Sequence, residues 1–183
     1  YEGEVLRGEC YEDENQFNED MFLVMKDEKR EITLLALGDG VSTAKLGSGK
    51  EASSILRKNI IEAFKEKASL LKDEISIKEF CSKVIAKSNI DIIESIKTKV
   101  DITKETPSGI MATTLIVAVI VRNKMYYTSI GDSRLFIYSE KDGLNLLNYE
   151  DNVMNLKLAN GMAWDKVVNS EGRYAITRYI GGG

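Results

Sequence analysis

Three residues link two consecutive apolar segments of this chain, and the shortness of that link fixes how the segments can pair. The segments run from Thr114 to Val121 and from Met125 to Ile130, and they are rich in the β-branched and aromatic residues that strands favour. Parallel strands need a crossover of about a dozen residues, which Arg122-Asn123-Lys124 cannot supply. The two segments are therefore predicted to form an antiparallel hairpin.

Two further hairpins are predicted on either side of it. Met21 to Met25 and Ile32 to Leu37 are apolar and are separated by a charged turn. Leu135 to Tyr138 and Leu144 to Leu147 flank Asp142-Gly143, a dipeptide that is common in hairpin turns. The chain from Thr114 to Leu147 thus has the pattern of an antiparallel meander.

Between the first and second hairpins the apolar residues recur at helical spacing. We predict one amphipathic helix from Lys50 to about Ala68 and a second from Ser76 to Thr98. Ser76 and Glu79 have the spacing of a capping box at the start of the second helix. A short helical layer is expected between Glu150 and Val168. Strands, two helices and strands again indicate an α+β fold, because the strict alternation of a parallel α/β domain is missing.

Composition excludes several classes of function. The 183 residues are 43% hydrophobic, which suits a single globular domain spanning residues 1–183. The formal charge of -4 is spread over mixed signs, so neither nucleic acid nor an anionic membrane is an expected partner. Cys10 and Cys81 are far apart, which fits a reducing, cytoplasmic location. With no histidine, the chain cannot form a Ser-His-Asp triad or a His-ligated zinc site.

Acidic residues mark both ends of the first hairpin. Glu19-Asp20 precedes the first strand and Asp39-Gly40 follows the second, so antiparallel pairing brings them together. Carboxylates and a glycine carbonyl form an oxygen-rich site suited to Mg²⁺ or Mn²⁺. Acidic strand ends and Asp-Gly turns are also common without any metal, and the spacing alone leaves both interpretations open.

Five sequence blocks, taken in order, resemble the successive motifs of the type-2C protein phosphatases. They are Asn18-Glu19-Asp20, Leu37-Gly38-Asp39-Gly40, Ala112-Thr113-Thr114-Leu115, Gly131-Asp132-Ser133-Arg134 and Ile176-Thr177-Arg178. The resemblance covers nearly the whole chain, and each block alone would be a weak signal.

The resemblance implies an antiparallel β-sandwich flanked by helix pairs, in α-β-β-α layers, with a site for two Mn²⁺ or Mg²⁺ ions at one end. By that resemblance Asp39 bridges the two ions and Gly40 contributes its carbonyl. Glu19 and Asp20 hold waters on the ions, and Asp132 lies near a weaker third position. Arg134 is expected to be structural. Two such ions activate a shared water, which attacks the phosphate of a phosphoserine or phosphothreonine in a protein substrate.

The sequence departs from the family pattern at three points. Asn15 occupies the position at which many members have an arginine that binds the substrate phosphate. Val41 stands where some relatives have a histidine. The chain ends at Gly183, before the late Asp-Gly and Asp-Asn motifs that supply further ligands, so we expect a C-terminally incomplete domain with weak or no activity.

The sequence is compatible with three functions. The first is a metal-dependent Ser/Thr protein phosphatase. The second is a pseudophosphatase or phosphopeptide-binding module without turnover, which Asn15 and the absent late motifs favour. The third is an α+β scaffold whose acidic turns have no chemical role. The sequence predicts a phosphorylated protein as partner for the first two and leaves the oligomeric state open.

Asn15→Arg is expected to lower KM for a phosphopeptide in the full-length protein. A neutral amide cannot provide the charged, bidentate contact that a guanidinium makes with phosphate. Steady-state kinetics on both proteins would measure the change. An unchanged or raised KM would mean that another basic residue, such as Arg7 or Lys45, already binds the phosphate.

Overall fold

The computed structural model describes residues 18–98 and 109–181. The strands and helices of these residues follow one another in the order predicted for an α+β chain. In chain order they are β1 (Met21–Asp27), β2 (Ile32–Gly38), α1 (Gly49–Lys67), α2 (Glu74–Lys97), β3 (Leu115–Val121), β4 (Lys124–Ile130), β5 (Phe136–Ser139), β6 (Gly143–Leu146), α3 (Val153–Ala159) and α4 (Trp164–Val168).

The larger sheet has the strand order β1-β2-β3-β4, and every neighbouring pair is antiparallel. Val121 pairs with Lys124, so the β3–β4 connection is a turn of the type that the short link predicted. In the first hairpin Met21 pairs with Gly38 and Asp27 with Ile32. Both hairpin predictions are confirmed, and β3 joins them into one sheet by pairing with β2.

Helices α1 and α2 pack against each other and against this sheet, α1 on β1 and α2 on β4. Alternate residues of β3 face them, and Leu115, Val117 and Val119 belong to the same buried cluster as the helix residues. Ile116 and Ala118 point to the opposite face and are also buried. The sheet is therefore covered on both sides at β3, as an inner layer of a sandwich must be.

The start of α2 differs from the prediction. Asp73 is the N-cap residue, and its carboxylate accepts a hydrogen bond from the Ser76 amide at 2.9 Å. The Ser76 hydroxyl in turn accepts from the Asp73 amide at 3.2 Å, which completes a capping box one turn earlier than expected. Ser76 was predicted to be the cap, with Glu79 as its partner. That assignment is wrong because a carboxylate three residues upstream also fits the motif.

The predicted meander divides between two sheets. β3 and β4 belong to the larger sheet, whereas β5 and β6 pair antiparallel in a separate two-stranded sheet. The break falls at Gly131 to Leu135, and the short helices α3 and α4 confirm the helical layer predicted after Glu150. The fold is α+β with antiparallel sheets and packed helices, as predicted. No helix in the described parts of the chain is both long and apolar enough to cross a membrane.

Asp73→Ala is expected to lower the urea midpoint of unfolding more than Glu79→Ala. The Asp73 carboxylate caps a helix, whereas Glu79 forms only an exposed pair with Lys83. Hydrogen bonds from the Ser76 side chain and amide hold the pKa of Asp73 below its ordinary 3.8. Its stabilising contribution is therefore complete above that value and is lost as the pH falls through the lowered pKa.

Urea titrations of the two variants near neutral pH, and again below the ordinary pKa of 3.8, measure both effects. Equal midpoints near neutral pH, or an Asp73→Ala deficit that does not shrink in acid, would contradict the capping assignment.

Candidate active site

Asp20 and Asp39 lie side by side at one end of the first hairpin. The pairing of Met21 with Gly38 makes Asp20 and Asp39 the next opposed positions, just beyond the strands. Asp20, Asp132 and Glu19 all lie near enough for their charges to act on the Asp39 carboxyl group. The structure thus brings together four acids that are distant in the sequence.

Loss of hydration and then repulsion from Asp20, Asp132 and Glu19 raise the pKa of Asp39 to about 6. By surface area Asp39 as a whole residue is exposed. The desolvation therefore comes from protein atoms packed around the carboxyl group and not from complete enclosure. A carboxyl group that is partly dehydrated and surrounded by other carboxylates marks a point of strongly negative potential.

The backbone of Asp39 is held by two buried threonines on the approach to β3. Its amide donates to Thr114 Oγ1 at 2.9 Å, and its carbonyl accepts from the Thr114 amide at 2.9 Å and from Thr113 Oγ1 at 3.1 Å. Thr114 Oγ1 also shares a 2.7 Å hydrogen bond with Ser133 Oγ. Both threonine side chains are inaccessible to solvent. Asp39 therefore projects from a fixed backbone.

Gly40 touches Gly49 backbone to backbone. A Cβ atom on Gly40 would lie 2.5 Å from the Glu19 carbonyl oxygen and 2.5 Å from Gly49, so no larger residue fits. The Gly49 amide, at the first residue of α1, donates to Glu19 Oε1 at 3.1 Å, and Ser53 Oγ donates to the Glu19 carbonyl at 2.6 Å. Glu19 is thereby held against the positive end of a helix beside Asp39.

Asp132 occupies a tight turn after β4. Gly131, just before it, has a φ of +99°, and a Cβ there would come within 2.6 Å of the Thr114 methyl group. Ser133, just after it, bonds to Thr114. Arg134 forms a 2.5 Å ion pair with Glu150 outside this group of acids. The turn thus sits directly on the threonine that holds Asp39.

Sequence reasoning identified the acids but not the residues that hold them. Thr113, Thr114 and Ser133 were part of the matched blocks, yet no role was given to them. The available signal was two adjacent hydroxyl residues at the start of a fully apolar strand, which need partners if buried. Asn15 and Cys10 lie outside the described residues, so the substrate-binding prediction for Asn15 stays a prediction.

The acids around Asp39 suit a hydrated divalent cation. Within residues 18–98 and 109–181, no three Asp, Glu or Cys side chains are arranged to enclose a cation directly. Mg²⁺ and similar ions are commonly held by one or two carboxylates and keep several waters. Loss of hydration and the charges of Asp20, Asp132 and Glu19 all disfavour the ionised form of Asp39 and raise its pKa, an effect that a bound cation would oppose. The oxygen donors present therefore fit such an ion with a largely aqueous coordination shell.

A known protein family matches most of this chain. The family model described as protein phosphatase 2C matches residues 7–156. The chain belongs to the protein phosphatase 2C family. The match includes all four acids of the group around Asp39. A comparison with curated protein sequences gives no match.

Solved phosphatase structures share the fold. A bacterial serine phosphatase matches with a TM-score of 0.72 at 19% identity, over 92% of this chain and 64% of that one. Stp1 from Staphylococcus aureus matches at 0.71 and 20% identity, over 92% of this chain and 62% of its own. PstP/Ppp from Mycobacterium tuberculosis matches at 0.61 and 22% identity, over 91% and 63%. The present chain thus spans less than two thirds of each of these proteins.

Thr114→Val is expected to destabilise the protein by about 1–3 kcal/mol, because it leaves the Asp39 amide and the Ser133 hydroxyl without their buried partner. Thr114→Ser keeps the hydroxyl group and should cost less. Chemical denaturation of both variants provides the comparison. A valine variant as stable as the wild type, or more stable than the serine variant, would show that the hydrogen bonds of Thr114 are not what the site requires.

Proposed function

We propose that this chain carries the Asp39 centre of a metal-dependent phosphatase that hydrolyses phosphoserine and phosphothreonine in proteins, with Mn²⁺ or Mg²⁺ as cofactor. The observation that carries the proposal is the convergence of Asp20, Glu19 and Asp132 on Asp39 in a member of the protein phosphatase 2C family. Because Asp39 lies at the centre of this group, it is the residue best placed to bind a cation.

Bound divalent cations would activate a water and neutralise charge on the phosphate oxygens. Asp39 would hold such ions through its carboxylate, in a direction fixed by Thr113 and Thr114. Asp20 and Glu19 would accept hydrogen bonds from water around the ions, and the Gly40 carbonyl would add an oxygen. Asp132 would serve a further, weaker position. Catalysis by such residues consists of positioning and electrostatic stabilisation.

Within residues 18–98 and 109–181, the cysteine thiol is a poor alternative to water as the nucleophile. Cys81 is buried between α2 and β4, and burial raises the pKa of its thiol to about 11, so it stays protonated near neutral pH. Histidine, which commonly activates a serine or cysteine nucleophile, does not occur in the sequence. Direct attack by water requires neither group.

The proposed substrate class is taken from the solved structures that share this fold. The matched bacterial structures are named as serine or serine/threonine phosphatases, and their likeness at these identities supports the fold. Phosphorylated proteins in the cytoplasm are the corresponding substrates proposed for this chain. The proposed location in the cytoplasm is supported by the two widely spaced cysteines, which suit a reducing compartment.

A phosphopeptide-binding module without turnover is the second candidate. Asn15 at the phosphate-binding position of the family favours it, because an amide gives no charge-assisted contact to a phosphate. Such a module would retain the fold and the acids while releasing its ligand unchanged.

Asp39→Asn in the full-length protein is expected to weaken Mn²⁺ binding at least about 10-fold, since changes in and around metal ligands typically cost 10- to 100-fold in affinity. Phosphopeptide hydrolysis should fall with it. Asp165→Asn is the matched control, because Asp165 is exposed at the start of α4. Asp27 is less suitable, because its carboxylate pairs with Arg30 and caps a turn.

Calorimetry gives the Mn²⁺ affinity, and release of phosphate from a phosphopeptide gives the activity. Equal affinity in the two variants would remove Asp39 from the metal site. Wild-type protein that binds Mn²⁺ and phosphopeptide but releases no phosphate would establish the binding module instead.

A further inference from the structure

Asp151 connects the turn that carries Asp132 to the segment at residues 176–180. Its carboxylate accepts from the Gly131 amide at 3.0 Å, and its own amide donates to the Gly131 carbonyl at 2.9 Å. Its carbonyl accepts from the Thr177 amide at 2.8 Å, and Arg178 Nη1 lies 3.3 Å from its Oδ1 atom. One residue therefore fixes both polar backbone groups of Gly131.

The segment beyond Arg178 returns to the residues that hold Asp39. Ile180 and Thr113 exchange two backbone hydrogen bonds, of 3.0 and 2.9 Å. Thr113 bonds to the Asp39 carbonyl, as described above. On the other side of the turn, Ser133 bonds to Thr114, which holds the Asp39 amide. These contacts, together with the covalent chain from Thr177 to Ile180, form a closed ring that links Asp39, Thr113, Asp151, Gly131 and Thr114.

Asp132 sits on this ring between two fixed neighbours. Ser133 is held by Thr114 and, through its carbonyl, by the Asn148 side chain at 2.9 Å. Gly131 is held by Asp151 on one side and packs against the Thr114 methyl group on the other. The left-handed φ of Gly131 allows the chain to reverse there, so its hydrogen bonds to Asp151 decide the direction in which Asp132 leaves the turn.

We propose that Asp151 is a positioning residue that holds the Asp132 carboxylate in place near Asp39 and thereby sets the cation affinity of the weaker position that Asp132 serves. This inference rests on the proposed function, since the two acids are its cation ligands. The essential contact is the hydrogen bond to Gly131 and not the charge of Asp151. The ion pair with Arg178 is secondary, because Arg178 is 65% exposed and exposed pairs contribute little.

Two conservative substitutions separate position from charge. Asp151→Asn removes the charge but keeps an acceptor oxygen at the same distance from the backbone. Asp151→Glu keeps the charge but moves the oxygens away by one methylene group. If the hydrogen bond to Gly131 matters, Asp151→Asn retains Mn²⁺ affinity within about threefold, whereas Asp151→Glu loses about tenfold, the lower end of what outer-shell changes cost. If charge matters, the order is reversed.

The experiment measures Mn²⁺ affinity by calorimetry on the full-length protein and the exchange rate of the Gly131 amide by NMR without metal. Asp165→Glu is the control for the added methylene group. The expected result is faster Gly131 exchange and weaker Mn²⁺ binding in Asp151→Glu only. Equal affinity in both Asp151 variants, or a greater loss in Asp151→Asn, would overturn the proposal.

The exchange measurement separates failure of this inference from failure of the proposed function. Wild-type protein that does not bind Mn²⁺ would refute the proposed function, and Gly131 exchange alone would then decide the role of Asp151 in the turn. Unchanged exchange in Asp151→Glu would refute that role even where Mn²⁺ binds normally.

Discussion

The hydrogen bonds between Asp39 and the threonine pair at the start of β3 are the contacts on which the site depends. β2 and β3 are paired along their length, but Asp39 and Thr114 lie just past the end of that pairing. Here the side-chain hydroxyl of Thr114 replaces the carbonyl that a longer ladder would have supplied. The backbone of Asp39 is thus fully bonded, and the antiparallel contact continues past it through the bridge between Gly40 and Thr113.

The close approach of several carboxylates around Asp39 destabilises the folded protein. Each carboxylate added beside Asp39 raises the free energy of the ionised, metal-free state, and the raised pKa of Asp39 expresses that conflict. The surrounding structure compensates with buried side chains that are fully bonded and with two glycine contacts that leave little room for movement. Local repulsion maintained by a rigid framework is typical of functional sites, which are not optimised for stability.

The sequence predicted the strands and the main helices because their signals are local. The short link between β3 and β4 allows only antiparallel pairing. The apolar residues of α1 and α2 recur at helical spacing over long segments, and such a pattern is rarely compatible with a strand. The capping box was misplaced by one turn because Asp73 and Ser76 both satisfy the motif, and only the geometry of the chain distinguishes them. The proximity of Asp20 to Asp39 followed from the hairpin. The proximity of Asp132 to Asp39 was predicted only from the resemblance to the phosphatase family. The contact between Asp151 and Gly131 could not be predicted, because the two residues are 20 positions apart in the sequence.

The contact between Gly40 and Gly49 closes the intervening segment at its base. The two glycines meet without any side chain between them, so residues 41–48 leave and re-enter the fold at nearly the same point. The entropy of closing such a loop grows only slowly with its length. Insertions at the exposed Ser42 and Thr43, between the hydrogen bonds that Val41 and Lys45 donate to Ala112 and Gly109, would thus change the surface beside the acids at little thermodynamic cost, while Asp39 and α1 stayed in place. Related proteins could in this way acquire different surroundings for the same chemistry.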